Sequence, residues 1–273
     1  MKPNKRILIT GGKGQLASSF SSLFSEDYKI YCYNKEDLDI TNTKNVENVI
    51  NEVEPDIILN CAAMTDVDLC EINEDDCYEV NFKSINNFKY SFNGLFIQLS
   101  TDYVFNGKAG PYFENDNPNP INIYGRSKLN SEILVKKLFK KNIILRTNIL
   151  FSKNSDASFV SWVLNNLKNR ENISVIDDQF NNPISVEDCS KIIDILISNK
   201  CNGIFHAGTN KVISRYDFAK IIASNSNYDS DLIKPISSEE FFSKKNIKAF
   251  RPLKSGLLSK YDFLSHFDLK DSL

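Results

Sequence analysis

Tyr124 and Lys128 stand four positions apart in Tyr124-Gly125-Arg126-Ser127-Lys128. On a helix that spacing places a phenol and an ammonium one turn apart on one face. A neighbouring cation favours the phenolate and lowers the tyrosine pKa, which suits a tyrosine that donates protons as a general acid. The same spacing occurs at Tyr31/Lys35 and Tyr216/Lys220, and an ordinary solvated helix face accounts for any one such pair. Context selects Tyr124/Lys128. It alone follows a buried-looking strand that ends in hydroxyl and acidic residues, Leu95 to Tyr103, with a glycine loop far upstream. In that stretch Thr101 offers a hydroxyl to a substrate oxygen; the competing role for Ser100-Thr101 is a turn or cap.

The glycine loop is Gly11-x-x-Gly14-x-x-Ala17. It joins the apolar run Arg6 to Thr10, which reads as a parallel strand covered on both faces, to Ser18–Phe24, whose apolar residues recur at helical spacing. Strand, glycine turn and helix form the context a phosphate-binding fingerprint requires. The helix N-terminus offers unpaired N–H groups and the positive dipole end, and a small residue suffices at the third, helix-packing position. A plain glycine-rich turn is the alternative. A second strand, Tyr28 to Tyr33, leads into Asn34-Lys35-Glu36-Asp37-Leu38-Asp39-Ile40. A carboxylate there would hold a ribose 2′-OH and a cation a 2′-phosphate; both types are present, so NADH and NADPH remain open. Cys61-Ala62-Ala63-Met64 follows the apolar run Ile57 to Asn60, at the strand end where ligands bind in open parallel sheets.

The elements that must position these groups alternate. Val46, Val49, Ile50 and Val53 form a helical stripe, Glu71 to Phe92 reads mostly as helix, and Leu95 to Leu99 is strand. A polar loop over 107–120 delivers the chain to a helix from about Tyr124 to Lys141, then a strand from Ile143 to Arg146. This alternation predicts an α/β fold, a doubly wound parallel sheet of Rossmann type over residues 1–150. Residues 151–273 are less regular. They read as a smaller C-terminal substrate lobe, with some elements returning to the sheet.

The 273 residues are 41% hydrophobic and 25% charged, with a net charge of −2, ordinary for a globular protein. No basic block suggests nucleic acid. No stretch approaches the roughly 20 apolar residues of a membrane span. The N-terminus lacks a signal-peptide core, so a cytoplasmic location is expected. The six cysteines form no Cys-x-x-Cys and read as free thiols. Two histidines in separate contexts give no metal site.

Taken together, several stretches resemble the extended short-chain dehydrogenase/reductases, and within them the dTDP-4-dehydrorhamnose reductases. They are Gly11 to Leu16, Asn60 to Asp68, Ser100-Thr101-Asp102-Tyr103-Val104-Phe105-Asn106-Gly107, Pro118-Asn119-Pro120, Tyr124 to Lys128, Arg146-Thr147, Asp178-Gln179 and Arg251-Pro252. The resemblance implies NADPH or NADH as cofactor and a nucleotide-linked 4-keto-6-deoxy sugar as substrate. Gly11, Gly14, Gln15 and Leu16 would line the cofactor pyrophosphate, Asp39 and Ile40 the adenine, and Ala62, Ala63 and Met64 the length of the cofactor. Tyr124 would protonate the C4 carbonyl oxygen. Lys128 would bind the nicotinamide ribose and lower the Tyr124 pKa. Thr101 would donate to the same carbonyl and Asp102 would position the sugar. Arg251 is a candidate for a substrate phosphate, with a salt bridge as its alternative. Where the family often carries serine and a stacking aromatic residue, this chain has Asn148 and Ile149, which makes Asn148 a substrate-side candidate and bears on which sugar is taken. Two other readings share the scaffold: an epimerase or dehydratase, and a non-catalytic nucleotide-binding regulatory subunit. Thr101-Asp102-Tyr103 argues against the first, and the intact Thr101, Tyr124 and Lys128 against the second. No motif fixes the oligomeric state, a homodimer included.

Overall fold

The structure, a computed structural model, describes residues 5–152, 158–245, 248–264 and 266–269. In chain order the first half contains β1 (Arg6–Thr10), α1 (Gln15–Phe24), β2 (Lys29–Tyr33), α2 (Thr43–Val53), β3 (Ile57–Asn60), α3 (Val67–Ile72), α4 (Glu74–Asn81), β4 (Leu95–Thr101), α5 (Ile123–Leu138) and β5 (Asn142–Thr147). The second half contains β6 (Leu150–Phe151), α6 (Phe159–Lys168), β7 (Ile173–Ile176), β8 (Phe180–Asn181), β9 (Ile184–Ser185), α7 (Val186–Ser198), β10 (Gly203–Ala207), β11 (Ile213–Ser214), α8 (Arg215–Asn225), β12 (Ile233–Ile236) and α9 (Ser238–Lys245).

Six strands make one sheet in the order β10-β5-β4-β3-β1-β2, and every pairing in it is parallel. The alternation of side chains across a strand builds two cores from one sequence. Ile7, Ile9, Ile57, Leu59 and Ile97 face one side, with Phe20 of α1 and Ile192, Ile193 and Leu196 of α7. Leu8, Ile58, Phe96 and Ile144 face the other, with the expected α2 stripe of Val46, Val49, Ile50 and Val53. Successive strands run outward from β1 in both directions, to β2 on one side and to β3 on the other. The crevice at such a reversal, at the carboxyl ends of the strands, is where open α/β sheets hold ligands.

The edge strand β10 and the covering helix α7 come from beyond residue 150. β10 pairs with β5 from Gly203↔Ile143 to Ala207↔Thr147. A separate core joins α6, α8, β7 and β12 through Val160, Val163, Val175, Phe218, Ile222 and Ile233. Two expectations are refined. Glu71 to Phe92, expected to be mostly helix, is helical in three pieces: α3 and α4 are separated at Asn73, whose φ/ψ of −118°/64° is not helical, and Lys83–Phe88 is a 3₁₀ segment. The helix expected to reach Lys141 ends at Leu138, because Phe139 turns extended and stacks on Phe96 with ring centres 4.3 Å apart.

Candidate active site

The glycine turn lies directly on the β3 loop. Gly11 has φ +66°, and a Cβ there would come within 2.9 Å of the Ala62 backbone. Only glycine meets both conditions without strain. Gly14 caps α1 with no side chain of its own in the way, and its N–H donates to the Gly11 carbonyl at 2.9 Å. A buried polar chain ties the strand ends together. Thr10 Oγ1 donates to Asn60 Oδ1 at 2.6 Å and accepts from the Ala62 N–H at 3.1 Å. Asn60 Nδ2 then donates to Gln98 Oε1 at 2.8 Å.

Beside this turn is a cavity of about 550 Å³ lined by Gly11, Lys35, Asp39, Ile40, Ala62, Ala63 and Met64 among others, a volume suited to a small ligand. Asp39 is held below the usual carboxylate range by hydrogen bonds from the Thr41 hydroxyl and N–H. Gln15 and Leu16 open α1, and Gln15 Oε1 is buried without a partner.

The second wall is built by α5. Asn122 caps it, its Oδ1 accepting the Gly125 N–H at 2.7 Å. A Cβ on Gly125 would collide with the Tyr103 carbonyl oxygen, so glycine lets the helix press against the segment after β4. That contact brings the Tyr124 phenol beside Thr101, whose side chain acts on its ionisation. Thr101 Oγ1 donates to Asp102 Oδ1 at 3.1 Å, and Ser255 Oγ donates to Asp102 Oδ2 at 2.5 Å. Tyr103 stands edge-on to Tyr124 with ring centres 5.9 Å apart.

One turn along α5, Lys128 is only 3% exposed and donates no hydrogen bond to any described residue. One turn further, Glu132 accepts from Ser100 Oγ at 2.5 Å and from Arg146 at 2.9 Å (Nε) and 2.7 Å (Nη2). Arg146 also faces the Phe105 ring at 5.1 Å. His206 donates through Nδ1 to the Leu258 carbonyl at 3.0 Å, which leaves Nε2 as the acceptor towards Arg146 Nη1 at 3.5 Å.

Burial dominates the ionisation of these groups. It pushes the Lys128 ammonium down to about 8, with the Glu132 carboxylate opposing. It pushes Asp102 up to about 6, opposed by the hydrogen bonds from Ser255 and Thr101 and by the Arg215 charge. It raises Tyr124, and the Asp102 charge adds to the effect. The expected lowering of the Tyr124 pKa by Lys128 is not among the main influences on the phenol, where burial and the Asp102 charge dominate. The phenol is therefore protonated, as a donor must be.

The other expected residues are placed as follows. Ala62, Ala63 and Met64 lie between the glycine turn and α4, where Asn81 accepts the Met64 N–H at 2.8 Å and donates to the Ser127 hydroxyl at 3.1 Å. Asn148 donates to Asn182 at 2.5 Å, while its Oδ1 is buried without a partner. Arg251 is engaged by Asp68 at 3.0 and 3.3 Å and by the Ala249 carbonyl at 2.9 Å, so its fork already has partners. Tyr31 lies in β2 with Lys35 past its end, so that pair shares no helix. The Lys220 ammonium lies 5.4 Å from the Tyr216 ring centre on α8. Asn81, Ser127, Glu132, Ser255 and Arg215 were not anticipated; Glu132 alone carried a local signal, since it continues the four-residue step from Tyr124 and Lys128.

Several features fit a dinucleotide: the glycine cradle with no side chain in the approach, the orphaned Gln15 amide oxygen, the cavity past β2, and a buried ammonium with no described acceptor. Among the described residues no cluster of three or more His, Cys, Asp or Glu is arranged for a metal, and no helix is long and apolar enough to cross a membrane.

The family described as RmlD substrate binding domain matches residues 5–270. A dTDP-4-dehydrorhamnose reductase of Aggregatibacter actinomycetemcomitans is 35% identical over 227 residues, 78% of this chain and 76% of that protein. Among solved structures, the dTDP-4-dehydrorhamnose reductase of Bacillus anthracis in complex with NADP is 38% identical, with a TM-score of 0.88 over 93% of this chain and 90% of that one. The Clostridium acetobutylicum dTDP-4-dehydrorhamnose reductase ortholog is 35% identical, with a TM-score of 0.86 and the same coverage, 93% and 90%.

Two outcomes follow from the buried charges. Glu132→Gln leaves Arg146 without its counter-charge and should cost about 3–5 kcal/mol in urea unfolding; adding Arg146→Met should recover part of that loss. Asp102 has a raised pKa, so its contribution to stability is complete below the ordinary carboxylate value and is lost as pH rises through about 6. The melting temperature of Asp102→Asn relative to the parent should therefore climb between pH 4.5 and 7.5, by an amount equivalent to at most about 3 kcal/mol. A difference independent of pH would refute the buried-carboxylate account.

Proposed function

The chain belongs to the dTDP-4-dehydrorhamnose reductase family, and from that membership we propose that it reduces the C4 ketone of dTDP-4-dehydro-L-rhamnose to give dTDP-L-rhamnose, with NADPH as reductant, in the supply of surface-polysaccharide precursors. The observation that carries this reading is the convergence of the Tyr124 and Thr101 hydroxyls at the carboxyl edge of the sheet, beside the glycine turn. A nucleotide-sugar and a reduced nicotinamide are charged solutes, which supports a cytoplasmic site of action.

The roles assigned to individual residues rest on this geometry. A carbonyl oxygen lodged between Thr101 and Tyr124 accepts from both hydroxyls. As negative charge grows on that oxygen the two donors stabilise it more strongly than they did the ketone, which is what lowers a barrier. Tyr124 then gives up its proton to the new alkoxide. When bound, the dihydronicotinamide supplies the hydride to C4. Lys128 would hold the nicotinamide ribose, since its donors have no described acceptor. Gly11, Gly14, Gln15 and Leu16 would receive the pyrophosphate at the start of α1, and Asp39, Ile40, Ala62, Ala63 and Met64 would enclose the adenosine. Asp102, fixed through Ser255, would orient the sugar. The preference for NADPH finds support at the end of β2, where Asn34 and Lys35 follow Tyr33. The next carboxylate, Glu36, is paired with Lys13 at 3.2 Å, which leaves the Lys35 cation on the cavity wall for a 2′-phosphate.

Tyr124→Phe should bind NADPH with parental affinity and lose roughly 10²–10⁴ in kcat on the dTDP-linked ketosugar; turnover within threefold of the parent would remove Tyr124 from the acid role. Lys35→Ala should raise KM for NADPH about tenfold, equivalent to about 1.4 kcal/mol, and leave KM for NADH nearly unchanged. Equal changes for both cofactors would show that Lys35 does not read the 2′-phosphate.

A further inference from the structure

We infer that Arg215 is the residue that grips the diphosphate of the nucleotide-sugar, an assignment that rests on the proposed reductase activity and extends it to how the substrate is held. Arg215 opens α8. Its position is set by the backbone, because its own N–H donates to the Gln179 carbonyl at 3.1 Å and Ser214, one residue before, pairs with Phe180 across β11 and β8. Ser214 also caps the helix, its Oγ accepting the Asp217 N–H at 2.9 Å.

The side chain is unlike the other arginines near the site. The Arg146 fork is filled by Glu132, and the Arg251 fork by Asp68 and the Ala249 carbonyl. The Arg215 Nε is buried with no partner among the described residues, and its guanidinium makes no ion pair or hydrogen bond with any of them. The guanidinium carbon lies 6.0 Å from the Phe159 ring centre, on the face of α6. Its charge acts on the Asp102 carboxylate and the Tyr103 phenol, so it lies near the segment that follows β4. A buried donor left unmade is costly, and a planar guanidinium matches the oxygens of a phosphate with two parallel bonds.

The chemistry of the substrate agrees with that position. In a nucleotide-linked pyranose the diphosphate hangs from C1, on the opposite side of the ring from C4. With the C4 ketone at Thr101 and Tyr124 and the ring beside Asp102, the anion must emerge about one ring width further on, towards the second lobe. Arg215 stands on that side with its donors free. Thr147 Oγ1, Asn148 Oδ1 and Asn181 Oδ1, also buried without partners, are suited to sugar hydroxyls but carry no charge to meet a phosphate. The rival role for Arg215 is to keep Asp102 ionised.

The test compares the full chain with Arg215→Met, which keeps the apolar stem, and Arg215→Lys, which keeps the charge but not the fork. Calorimetric titration with thymidine 5′-diphosphate, thymidine and NADPH needs no turnover. We expect Arg215→Met to weaken thymidine diphosphate binding at least tenfold, Arg215→Lys to restore part of it, and neither to change affinity for thymidine or NADPH. On the dTDP-linked ketosugar, KM should rise with kcat within threefold. Unaltered diphosphate affinity in Arg215→Met would overturn the assignment, whether or not the acid limb of the kcat–pH profile moved; a moved limb would give Arg215 to Asp102 instead. Should the parent reduce no ketosugar at all, the reductase reading falls, and the diphosphate titration still decides the role of Arg215.

Discussion

A carboxylate and a guanidinium, Glu132 and Arg146, lie almost wholly buried beneath the cleft, at 2% and 1% exposure. Taking two charges out of water costs several kcal/mol for each ion, and the attraction between them offsets this only where geometry and additional hydrogen bonds are good. Here both carboxylate oxygens meet the fork, Ser100 adds a third donor, and Phe105 and His206 flank the guanidinium. The four elements so joined are α5, β4, β5 and β10. Because Tyr124 and Lys128 precede Glu132 at four-residue steps, anchoring Glu132 fixes the rotation of α5 about its axis. The Tyr124 phenol and the buried Lys128 ammonium therefore share one face of the helix. The same carboxylate opposes the loss of charge that burial imposes on Lys128. One ion pair thus sets both the direction of the functional side chains and part of their electrostatics.

The other end of α5 is set by close approach rather than charge. Gly125 admits the Tyr103 carbonyl, Asn122 caps the helix, and Asn81 reaches from α4 to hold the Met64 backbone and the Ser127 hydroxyl together. The cofactor side repeats this logic at the strand ends, where Thr10, Asn60 and Gln98 make a buried chain across β1, β3 and β4. In the strand interiors the packing is apolar on both faces. Polar burial is concentrated at the carboxyl edge, where it fixes loops to within a hydrogen-bond length and so keeps the two walls in register.

Much of this was legible locally. The parallel sheet follows from short apolar runs alternating with helical stripes, and the α2 stripe is buried residue for residue. The glycine turn and Tyr124/Lys128 are short-range patterns whose meaning is set by neighbouring elements. What was hidden depends on contacts between distant segments. Ser255 holds Asp102 across a separation of 153 residues. Arg251 meets Asp68 across 183, so the cation that looked available for a phosphate has its fork occupied. Helix ends were misjudged where a side chain finds a better partner outside the helix, as Phe139 does on Phe96. The ionisation of Tyr124 was misjudged because spacing reports which groups are near but not how little water surrounds them.

The distribution of unmet polar groups separates the parts of the molecule that support the fold from those that await a ligand. Six buried side-chain atoms among the described residues have no partner: Gln15 Oε1, Asn142 Oδ1, Thr147 Oγ1, Asn148 Oδ1, Asn181 Oδ1 and Arg215 Nε. Asn142 is at the amino end of β5, Gln15 opens α1 at the glycine turn, Thr147 ends β5 with Asn148 next to it, Asn181 is in β8 and Arg215 opens α8. Each costs the folded chain free energy that an apolar residue of the same shape would not, and selection for stability alone would remove them. At the carboxyl edge Asp102 and Lys128 are likewise held away from their ordinary pKa values by burial, so the cleft carries a cost that the apolar strand interiors do not.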